Sequence, residues 1–314
     1  MKPNRILVVG ELNVDLILNQ IQGFPQIGTE IVAEAMDFTL GSSSAILASN
    51  ISSLGIATSF CGMIGKDDFG DFILQQLQDK KVDTSYIQRA ADQKTGITVV
   101  MNYDQDRANV TYCGAMDSLT IDEIPWDSLS EFRHLHLSNY FLQKGIKNDI
   151  TGIFRKAREA GLTTSLDLQW DPQNLWDFDY KACLPHVDVF LPNEQELLAL
   201  TRESDIEGAL RVLKPYTHTI ALKMGEKGAM LISGDEKILQ KPFLNRNFKD
   251  AIGAGDSFNA GFLQKFMEGA APGDCLRNAS LMGSLSTTRA GGTAAFTGRQ
   301  EIDEQIQKIL NQQL

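Results

Sequence analysis

The chain has 314 residues, of which 43% are hydrophobic and 22% are charged, so it can bury a sizeable core. Its formal net charge of -11 argues against a broad nucleic-acid or anionic-membrane surface. The four cysteines have no Cys-x-x-Cys spacing, no signal-peptide pattern opens the sequence, and no apolar run is long enough to span a bilayer. These features predict a cytoplasmic globular protein without nucleic-acid or membrane partners.

Short apolar runs that are typical of strands alternate with segments of helical spacing. The predicted strands are 6–10, 59–64, 134–137, 163–168, 187–191, 219–223 and 229–232. The predicted helices are 46–54, 69–77, 150–160, 206–213, 276–286 and 302–310, with those from 257 onward closing one side. Such alternation favours an α/β fold with a doubly wound, mainly parallel sheet flanked by helices. Without repeats or low-complexity linkers, residues 1–314 are expected to form one domain.

Two parts of the chain interrupt this alternation, because extended pieces follow one another there without a helix between them. They are 14–18 with 30–38, and 96–103 with 109–113, where a polar turn at 104–107 joins the second pair. Lid segments at about 14–38 and 96–113 would form a small second sheet over the carboxyl ends of the main strands, where α/β folds bind ligands. The pattern alone is equally compatible with two separate surface hairpins. Apolar lid strands would suit a homodimer.

The most informative segment is a run of small residues that leads into a helical pattern. The small residues are Gly253, Ala254 and Gly255, and apolar residues then recur every fourth position at Phe258, Phe262 and Phe266. Such a loop presents main-chain amides and a helix N-terminus to an anion such as a phosphoryl group. Asp256 in the first turn can accept a proton from a hydroxyl beside that anion. The loop therefore favours phosphoryl transfer to an alcohol, although a helix cap explains it equally well by itself.

The segment from Asp250 to Phe262 resembles the C-terminal signature of the ribokinase-like (PfkB) carbohydrate kinases. Further segments resemble this family in the family's order along essentially the whole chain. The resemblance implies a β-sheet lid and an ATP- and Mg²⁺-dependent sugar kinase in which Asp256 is the base. Its position at a helix N-terminus would make Asp256 a weak base. In many relatives a potassium ion binds at main-chain carbonyls, which correspond here to those around Asp250 and Ile252.

The segment from Gly10 to Asp15 resembles the opening Gly-x-x-Asn-x-Asp of these kinases. The resemblance implies that Asn13 and Asp15 hydrogen-bond the substrate hydroxyls, although an Asx turn explains the residues alone. Gly41 and Ser42 begin a second family segment, normally Gly-Gly-x-x-x-Asn, and are expected to contact the substrate. Here Ser42 replaces the second glycine and Ile46 replaces the asparagine. These departures argue against ribose recognition in the ribokinase manner and leave this wall of the site less polar.

The segment from Asp167 to Asp171 ends a predicted strand where relatives often carry Asp-x-Asn-x-Arg. Gln169 and Asp171 replace the usual asparagine and arginine. Their presence would alter the charge near the acceptor, which argues against a phosphorylated acceptor.

Two segments resemble the family's nucleotide side. Asn193 and Glu196 match an Asn-x-x-Glu motif that organises the magnesium and phosphate region through water, although helix capping explains acidic residues there. The segment with Lys223, Gly225 and Gly228 matches one that lines the nucleotide site. Lys223 would then lie near the ATP phosphates, whereas the commoner fate of a turn lysine is exposure.

Other nucleotide-binding classes lack support. Gly10 begins no Gly-x-Gly-x-x-Gly turn, no Gly-x-x-x-x-Gly-Lys-Ser/Thr loop is present, and Asp68-Phe69-Gly70 lacks an accompanying His-Arg-Asp loop. His134 and His136 share one strand face without a third ligand, which favours packing over metal binding. The prediction is therefore an ATP-dependent kinase of a small carbohydrate hydroxyl. A nucleoside kinase on the same fold and a catalytically silent sugar-binding relative are the alternatives.

Overall fold

The computed structural model describes residues 2–103 and 107–313. Its strands are β1 (Arg5–Val9), β2 (Asn13–Ile21), β3 (Ala33–Leu40), β4 (Ala57–Gly65), β5 (Asp83–Ala90), β6 (Gly96–Asn102), β7 (Arg107–Tyr112), β8 (His134–Ser138), β9 (Thr163–Asp167), β10 (Val189–Phe190), β11 (Thr219–Lys223), β12 (Ala229–Ser233) and β13 (Glu236–Gln240). Its α-helices are α1 (Ser43–Ser53), α2 (Asp68–Asp79), α3 (Ile150–Glu159), α4 (Tyr180–Cys183), α5 (Glu194–Thr201), α6 (Ile206–Leu213), α7 (Ala254–Glu268), α8 (Pro272–Ser286) and α9 (Arg299–Asn311).

The main sheet has nine strands in the order β13-β12-β11-β10-β9-β8-β1-β4-β5. Neighbours from β11 to β5 pair in parallel, and β12 and β13 are antiparallel at one edge. Successive side chains of the central strand point to opposite faces, so Ile6 and Val8 join one hydrophobic core while Leu7 and Val9 join another. This architecture confirms the predicted α/β fold with a mainly parallel sheet covered on both faces.

The C-terminal helices cover one of the two faces, as the sequence predicts. Phe258 and Phe262 of α7 lie in the same core as Ile302 and Ile309 of α9. Gly261 lets α7 approach α8 closely, because a Cβ atom there would lie 2.6 Å from Met282 Cγ. The close packing of α7 fixes the helix whose N-terminus carries Asp256.

The four remaining strands form a separate sheet in the order β3-β2-β6-β7, called here the lid sheet. Strands β2 and β6 pair in parallel, from Asn13 opposite Gly96 to Leu18 opposite Met101. This pairing joins the two predicted lid segments into one sheet, so the prediction of a small second sheet is confirmed. Both hairpins form, β2 with β3 and β6 with β7, but they are joined rather than separate. Most of the predicted turn at 104–107 lies outside the described residues, which resume at Arg107.

One face of the lid sheet is apolar from edge to edge. Cross-strand neighbours on this face form two rows: Phe38, Leu16, Val99 and Val110; then Met36, Leu18, Met101 and Ala108. Met36 and Val110 are each 61% exposed. Because neighbouring side chains alternate between faces, Asp15 and Thr98 point to the other side. The inner face of the lid sheet therefore carries polar side chains beside the apolar Ile17 and Val100. The outer face is apolar, and Phe38 on this face packs against Phe69 and Phe72 of α2.

Sequence patterns miss the two edge strands of the main sheet, β5 and β13. Edge strands are buried on fewer sides, and both strands consist of half-buried and exposed residues and contain no apolar run. In the described parts of the chain, no helix combines the length and apolarity needed to cross a membrane. The four cysteines are free thiols.

Candidate active site

A cleft of about 190 Å³ separates the inner face of the lid sheet from the N-terminus of α7. We call it the acceptor cleft. The predicted site residues that line it are Asn13, Asp15, Ser42, Ile252, Gly253 and Asp256. Its remaining walls come from Glu11, Ser43, Ile46, Thr98, Val100, Arg107, Asn109, Thr111, Met116, Asn139, Leu142 and Gln169. The structure therefore brings the predicted hydroxyl-binding residues and the predicted base to one cavity.

Asn13 and Asp15 follow the central strand and begin β2. Asn13 Nδ2 donates to Asp15 Oδ1 at 3.1 Å and to Thr98 Oγ1 at 2.8 Å, which fixes the pair against β6. Burial raises the pKa of Asp15 to about 6, against the opposing effects of the Asn13 hydrogen bond and the Arg107 charge. At neutral pH Asp15 is mainly a carboxylate, which accepts hydrogen bonds from hydroxyl groups.

Ser42 acts as the N-cap of α1. Its backbone has a φ of 70°, in the region that favours glycine, and its hydroxyl accepts from the Ala45 amide at 3.0 Å. The same hydroxyl donates its proton to Glu11 O at 2.6 Å. The hydroxyl proton is therefore already used inside the protein, and Ser42 can offer the acceptor only a remaining lone pair.

Glu11 is a cleft residue that sequence reasoning missed. It is 1% exposed, and it accepts hydrogen bonds from the Ser43 hydroxyl at 2.7 Å and from the Ser44 amide at 3.3 Å. These bonds hold the start of α1 against the end of β1. The available signal was its position directly after a buried central strand, where polar residues of α/β sheets meet their ligands.

Ile46 contributes an apolar wall between two glycine loops. A Cβ atom at Gly253 would lie 3.2 Å from Ile46 Cγ2, and one at Gly292 would lie 2.6 Å from Ile46 Cδ1. The isoleucine therefore fills the space beside both loops, and this wall of the cleft is apolar, as the departure from the family pattern predicts.

The predicted anion loop, Gly253 to Gly255, forms the first turn of α7. Gly253 is the N-cap in the left-handed region with a φ of 70°, and a Cβ atom there would lie 2.4 Å from Gly292 Cα. The Ala254 amide donates to Ala251 O at 3.2 Å. The amides that the helix start leaves for an anion are thus those of Gly255 and Asp256.

Asp256 lies in this first turn and is only 9% exposed. Burial raises its pKa to about 7, and the charge of Asp167 acts in the same direction while that of Lys223 opposes it. The expectation of a weak base at a helix N-terminus is therefore wrong, because burial is the largest effect on this pKa and raises it. A carboxylate with a pKa near 7 is well matched to proton transfer at neutral pH.

Lys223 is buried rather than an exposed turn lysine. Its side chain is 12% exposed, and Nζ donates to Asp167 Oδ2 at 2.7 Å. Nζ also lies 3.8 Å from the point where a Cβ atom of Gly255 would be. Burial alone would lower the pKa of Lys223, but the charges of Asp167 and Glu196 raise it. The structure therefore places a cation against the anion loop.

Asn193 and Glu196 form a capping box at the start of α5. Glu196 Oε1 and Oε2 accept from Asn193 Nδ2 at 2.7 Å and from the Asn193 amide at 2.9 Å. Burial, followed by the charge of Asp167, raises the pKa of Glu196 to about 7. Capping is thus present, and each Glu196 oxygen keeps one lone pair free. This arrangement fits a hydrated Mg²⁺ contacted through water better than a directly bound ion.

Gly225 and Gly228 shape the turn from β11 to β12. Both have a positive φ, of 56° and 95°, and a Cβ atom at Gly228 would lie 2.1 Å from Gln240 O. The glycines are therefore required by the turn that follows Lys223, and they lie outside the acceptor cleft.

Asp250 joins two loops beside the cleft. Its Oδ1 accepts from the Ile252 amide at 2.9 Å and its Oδ2 accepts from the Gly291 amide at 3.0 Å. Ile252 O faces the Ser286 hydroxyl at 3.5 Å. Oxygen atoms suitable for a weakly bound monovalent cation are thus present next to the anion loop, although protein hydrogen bonds already hold the two loops together.

Gln169 and Asp171 differ in their placement. Gln169 lines the cleft, whereas the Asp171 carboxylate accepts from the main-chain amides of Gln173, Leu175 and Trp176 within its own loop. Asp171 therefore does not change the charge at the acceptor as the sequence suggests. The cation that does line the cleft is Arg107 from the lid sheet.

His134 and His136 are completely buried and form hydrogen bonds with hydroxyl groups of β8 and β9. Burial lowers the pKa of His136 to about 3, so the ring is neutral. Within residues 2–103 and 107–313, no group of three or more His, Cys, Asp or Glu side chains is arranged to hold a metal ion. The histidines are packed, as the sequence predicts.

Comparisons with known proteins agree with this geometry. The model of the pfkB family carbohydrate kinases matches residues 3–297. The 2-dehydro-3-deoxygluconokinase of Bacillus subtilis is 28% identical over 272 residues, which cover 82% of this chain and 83% of that protein.

Solved structures share the fold. Ribokinase of Arabidopsis thaliana, complexed with ribose and ATP, has a TM-score of 0.83 and 24% identity, covering 98% of this chain and 99% of that one. Adenosine kinase of Sinorhizobium meliloti has a TM-score of 0.82 and 20% identity, covering 94% of this chain and 97% of that one. The architecture is therefore ribokinase-like. Because the family match spans nearly the whole length, the chain belongs to the pfkB family of carbohydrate kinases and is a phosphotransferase that acts on a sugar hydroxyl.

Proposed function

We propose that this enzyme transfers the γ-phosphoryl group of ATP to a hydroxyl of a small, uncharged carbohydrate. The observation that carries the proposal is the position of Asp256, which shares one cleft with Asn13 and Asp15 and lies at the N-terminus of α7. Residues for binding a hydroxyl, accepting its proton and stabilising a phosphoryl group thus lie side by side.

The cleft's size and charge indicate the kind of acceptor. Its volume of about 190 Å³ is below the roughly 300–1,000 Å³ of pockets for drug-sized ligands, which favours a monosaccharide. Three carboxylates line it, Glu11, Asp15 and Asp256, together with one cation, Arg107, from the same lid sheet as Asp15. An acceptor with its own negative charge would be repelled by this set, so an uncharged sugar fits best.

The chain's own residues divide the reaction into three tasks. Asn13 and Asp15 hold the acceptor through its hydroxyl groups. Asp256 receives the proton of the attacking hydroxyl as the bond from oxygen to phosphorus forms, and the Gly255 and Asp256 amides stabilise the charge on the transferred group. Lys223, Gly225 and Gly228 contribute to the nucleotide side, with Lys223 near the phosphates. Magnesium, held through water beside Asn193 and Glu196, would neutralise phosphate charge.

We also propose that a monovalent cation binds at the loop formed by Asp250 and Ile252, where free oxygen lone pairs are available. Rates measured in potassium chloride and in tetramethylammonium chloride at equal ionic strength test this idea. Equal rates would contradict it.

A nucleoside kinase is the second candidate, because Ile46, Val100 and Leu142 give the cleft apolar surface beside which a base would pack. The intact Asp256 and anion loop count against a catalytically silent relative.

The free thiols suit a reducing cytoplasm, where we expect the enzyme to act.

The test is a coupled ADP-release assay with Mg-ATP against fructose, ribose, 2-keto-3-deoxygluconate, adenosine and inosine. Turnover with a neutral sugar alone supports the proposal. Turnover with nucleosides alone would transfer the assignment to the second candidate, and turnover with the sugar acid alone would contradict the uncharged acceptor. No turnover with any neutral sugar, while ATP still binds, would count against the proposal.

We further propose that the apolar outer face of the lid sheet packs against the same face of a second copy. The chain carries a net charge of -11, so two copies repel one another over most of their surfaces. Because the two rows on this face contain no charged residue, two copies can pack through it without this electrostatic repulsion.

A further inference from the structure

Asp167, at the end of β9, is a fully buried carboxylate that receives hydrogen bonds from three separate elements. Its Oδ2 accepts from Lys223 Nζ of β11 at 2.7 Å and from Asn259 Nδ2 of α7 at 2.5 Å. It also accepts from Gln169 Nε2 at 3.0 Å, while Oδ1 accepts from the Gln169 amide at 3.3 Å. A buried charge with this many donors is held firmly in one position.

Each of these donor residues also contacts, or lies next to, Asp256 or the anion loop. Gln169 Nε2 lies 3.3 Å from Asp256 Oδ1, so one amide group bridges the two carboxylates. Lys223 Nζ lies 3.8 Å from the Cβ position of Gly255 in the anion loop. Asn259 follows Asp256 by three positions in α7, on the same side of the helix. Asp167 does not line the acceptor cleft, so it can act only through these neighbours.

We propose that Asp167 is a positioning residue of the transfer step: through Gln169 it orients Asp256, and through Lys223 it holds a cation against the anion loop. This inference rests on the proposed function. It assigns a role to a carboxylate that contacts neither the acceptor nor the attacking oxygen.

The charges around Asp256 support this role. After burial, the charge of Asp167 is the largest effect that raises the pKa of Asp256. The charged groups that face Asp256 are Asp167 of β9, Lys223 of β11, Glu11 after β1, Arg107 of β7 and Glu196 of α5. Of these, Glu11 acts in the same direction as Asp167, whereas Lys223 and Arg107 act against it. Removing the charge of Asp167 should therefore make Asp256 ionise at lower pH.

The first test is the pH dependence of kcat for Asp167→Asn. We expect kcat to fall by at least tenfold while KM for the sugar changes less. We also expect the acidic limb of the profile to move to lower pH by about one unit, the lower end of what a neighbouring charge causes. The matched control is Asp171→Asn. Asp171 is also a buried carboxylate that accepts hydrogen bonds from main-chain amides, but it does not face Asp256. Its acidic limb should stay in place. An unchanged limb in Asp167→Asn would overturn the inference.

A second variant separates orientation from charge. Gln169→Leu removes the bridging amide and leaves the Asp167 side chain in place, so kcat should fall while the acidic limb of the pH profile stays near its wild-type position. A wild-type kcat in Gln169→Leu would contradict the orienting role, and this test remains decisive if Asp167→Asn does not fold.

A measurement without turnover keeps the inference distinct from the proposed function. Carbon-13 NMR of labelled aspartate carboxyl groups, with the Asp256 signal assigned by its loss in Asp256→Asn, follows ionisation directly. Its midpoint should be lower in Asp167→Asn than in wild type. If wild type phosphorylates no sugar but the ionisation midpoint of Asp256 is lower in Asp167→Asn, the proposed function fails while the interaction of Asp167 with Asp256 is supported. An unchanged midpoint overturns the inference itself.

Discussion

Asp15 and Gly41 are so close together that a Cβ atom on Gly41 would lie 2.2 Å from Asp15 Oδ1. The main chain at the end of β3 therefore presses against the carboxylate that is proposed to hold the acceptor. We infer that Gly41 leaves room for Asp15; the direct contact with substrate that the family resemblance implies stays a prediction.

We expect Gly41→Ala to displace the Asp15 carboxylate and to raise KM for the sugar by at least tenfold, while KM for ATP stays within about twofold. The control is Gly152→Ala in α3, where an added Cβ meets nothing within 4 Å. Alanine is favoured over glycine inside a helix, so the control should retain both constants and gain a little stability. An unchanged sugar KM in Gly41→Ala would show that Asp15 can adapt or does not bind the acceptor.

The two ends of α7 provide a matched pair of glycines for testing the anion loop. Gly253 and Gly269 both lie in the left-handed region, with φ values of 70° and 77°. Alanine at either position should lower the free energy of unfolding by roughly 1–2 kcal/mol through backbone strain. Only Gly253→Ala also meets Gly292 Cα, at 2.4 Å, so only this variant should lose most of its kcat. Similar kcat values in the two variants would contradict a role for the loop geometry in transfer.

Two substitutions at Ser42 distinguish its role as the N-cap of α1 from a role in substrate binding. Ser42→Ala loses the cap of α1 and keeps the strained backbone, so its free energy of unfolding should fall by about 1 kcal/mol. Ser42→Gly loses the same hydroxyl but relieves the positive φ, and should be at least as stable as wild type. Urea unfolding measures both values. Because the hydroxyl proton is already donated to Glu11 O, neither variant should change the sugar KM by more than about threefold; a larger rise in both would show direct substrate binding.

Burial of Asp256 has a predictable effect on stability. Its pKa is raised from 3.8 to about 7 in the folded chain, so the unfolded chain gives up the proton first as the pH rises. Between these two values rising pH favours the unfolded state, and above pH 7 the full destabilisation is present. Asp256→Asn should therefore raise the free energy of unfolding at pH 8 by on the order of a few kcal/mol, and by less at pH 5. An equal gain at both pH values would contradict the raised pKa.

The lid-pairing proposal predicts a change in molecular mass. Val110→Lys places a charge on the exposed outer face of the lid sheet and should convert a dimer into a monomer, as light scattering after size exclusion would show. The control is Leu239→Lys, at a residue that is 65% exposed on β13, an edge strand of the main sheet. A wild-type monomer at micromolar concentration, or a Val110→Lys dimer, would rule out pairing through this face.

Local sequence patterns predict those parts of the molecule that neighbouring residues determine. The buried strands and amphipathic helices follow from apolar spacing, and the anion loop follows from three small residues before a helix. Both edge strands, β5 and β13, escape detection because their exposed sides carry polar residues. The parallel pairing of β2 with β6 also depends on contacts between distant segments, so the pattern could not decide between one lid sheet and two hairpins.

The electrostatics of the site are even less visible in the sequence. The raised pKa of Asp256 arises from burial and from Asp167, which is 89 positions away in the chain. Asp171 replaces a family arginine, yet it turns into its own loop, and the cleft's cation comes instead from Arg107 of the lid. Residue identity at a motif position predicts chemistry only when the fold directs that side chain into the cleft.

The most direct test of the account compares wild type with Asp256→Asn in two measurements on the same preparations. One is the rate of sugar-dependent ADP release, and the other is calorimetric titration with Mg-ATP. The account predicts that Asp256→Asn loses at least 1,000-fold in kcat while its affinity for Mg-ATP stays within about threefold of wild type. Near-normal turnover in Asp256→Asn would contradict the assignment of Asp256 as the group that receives the hydroxyl proton.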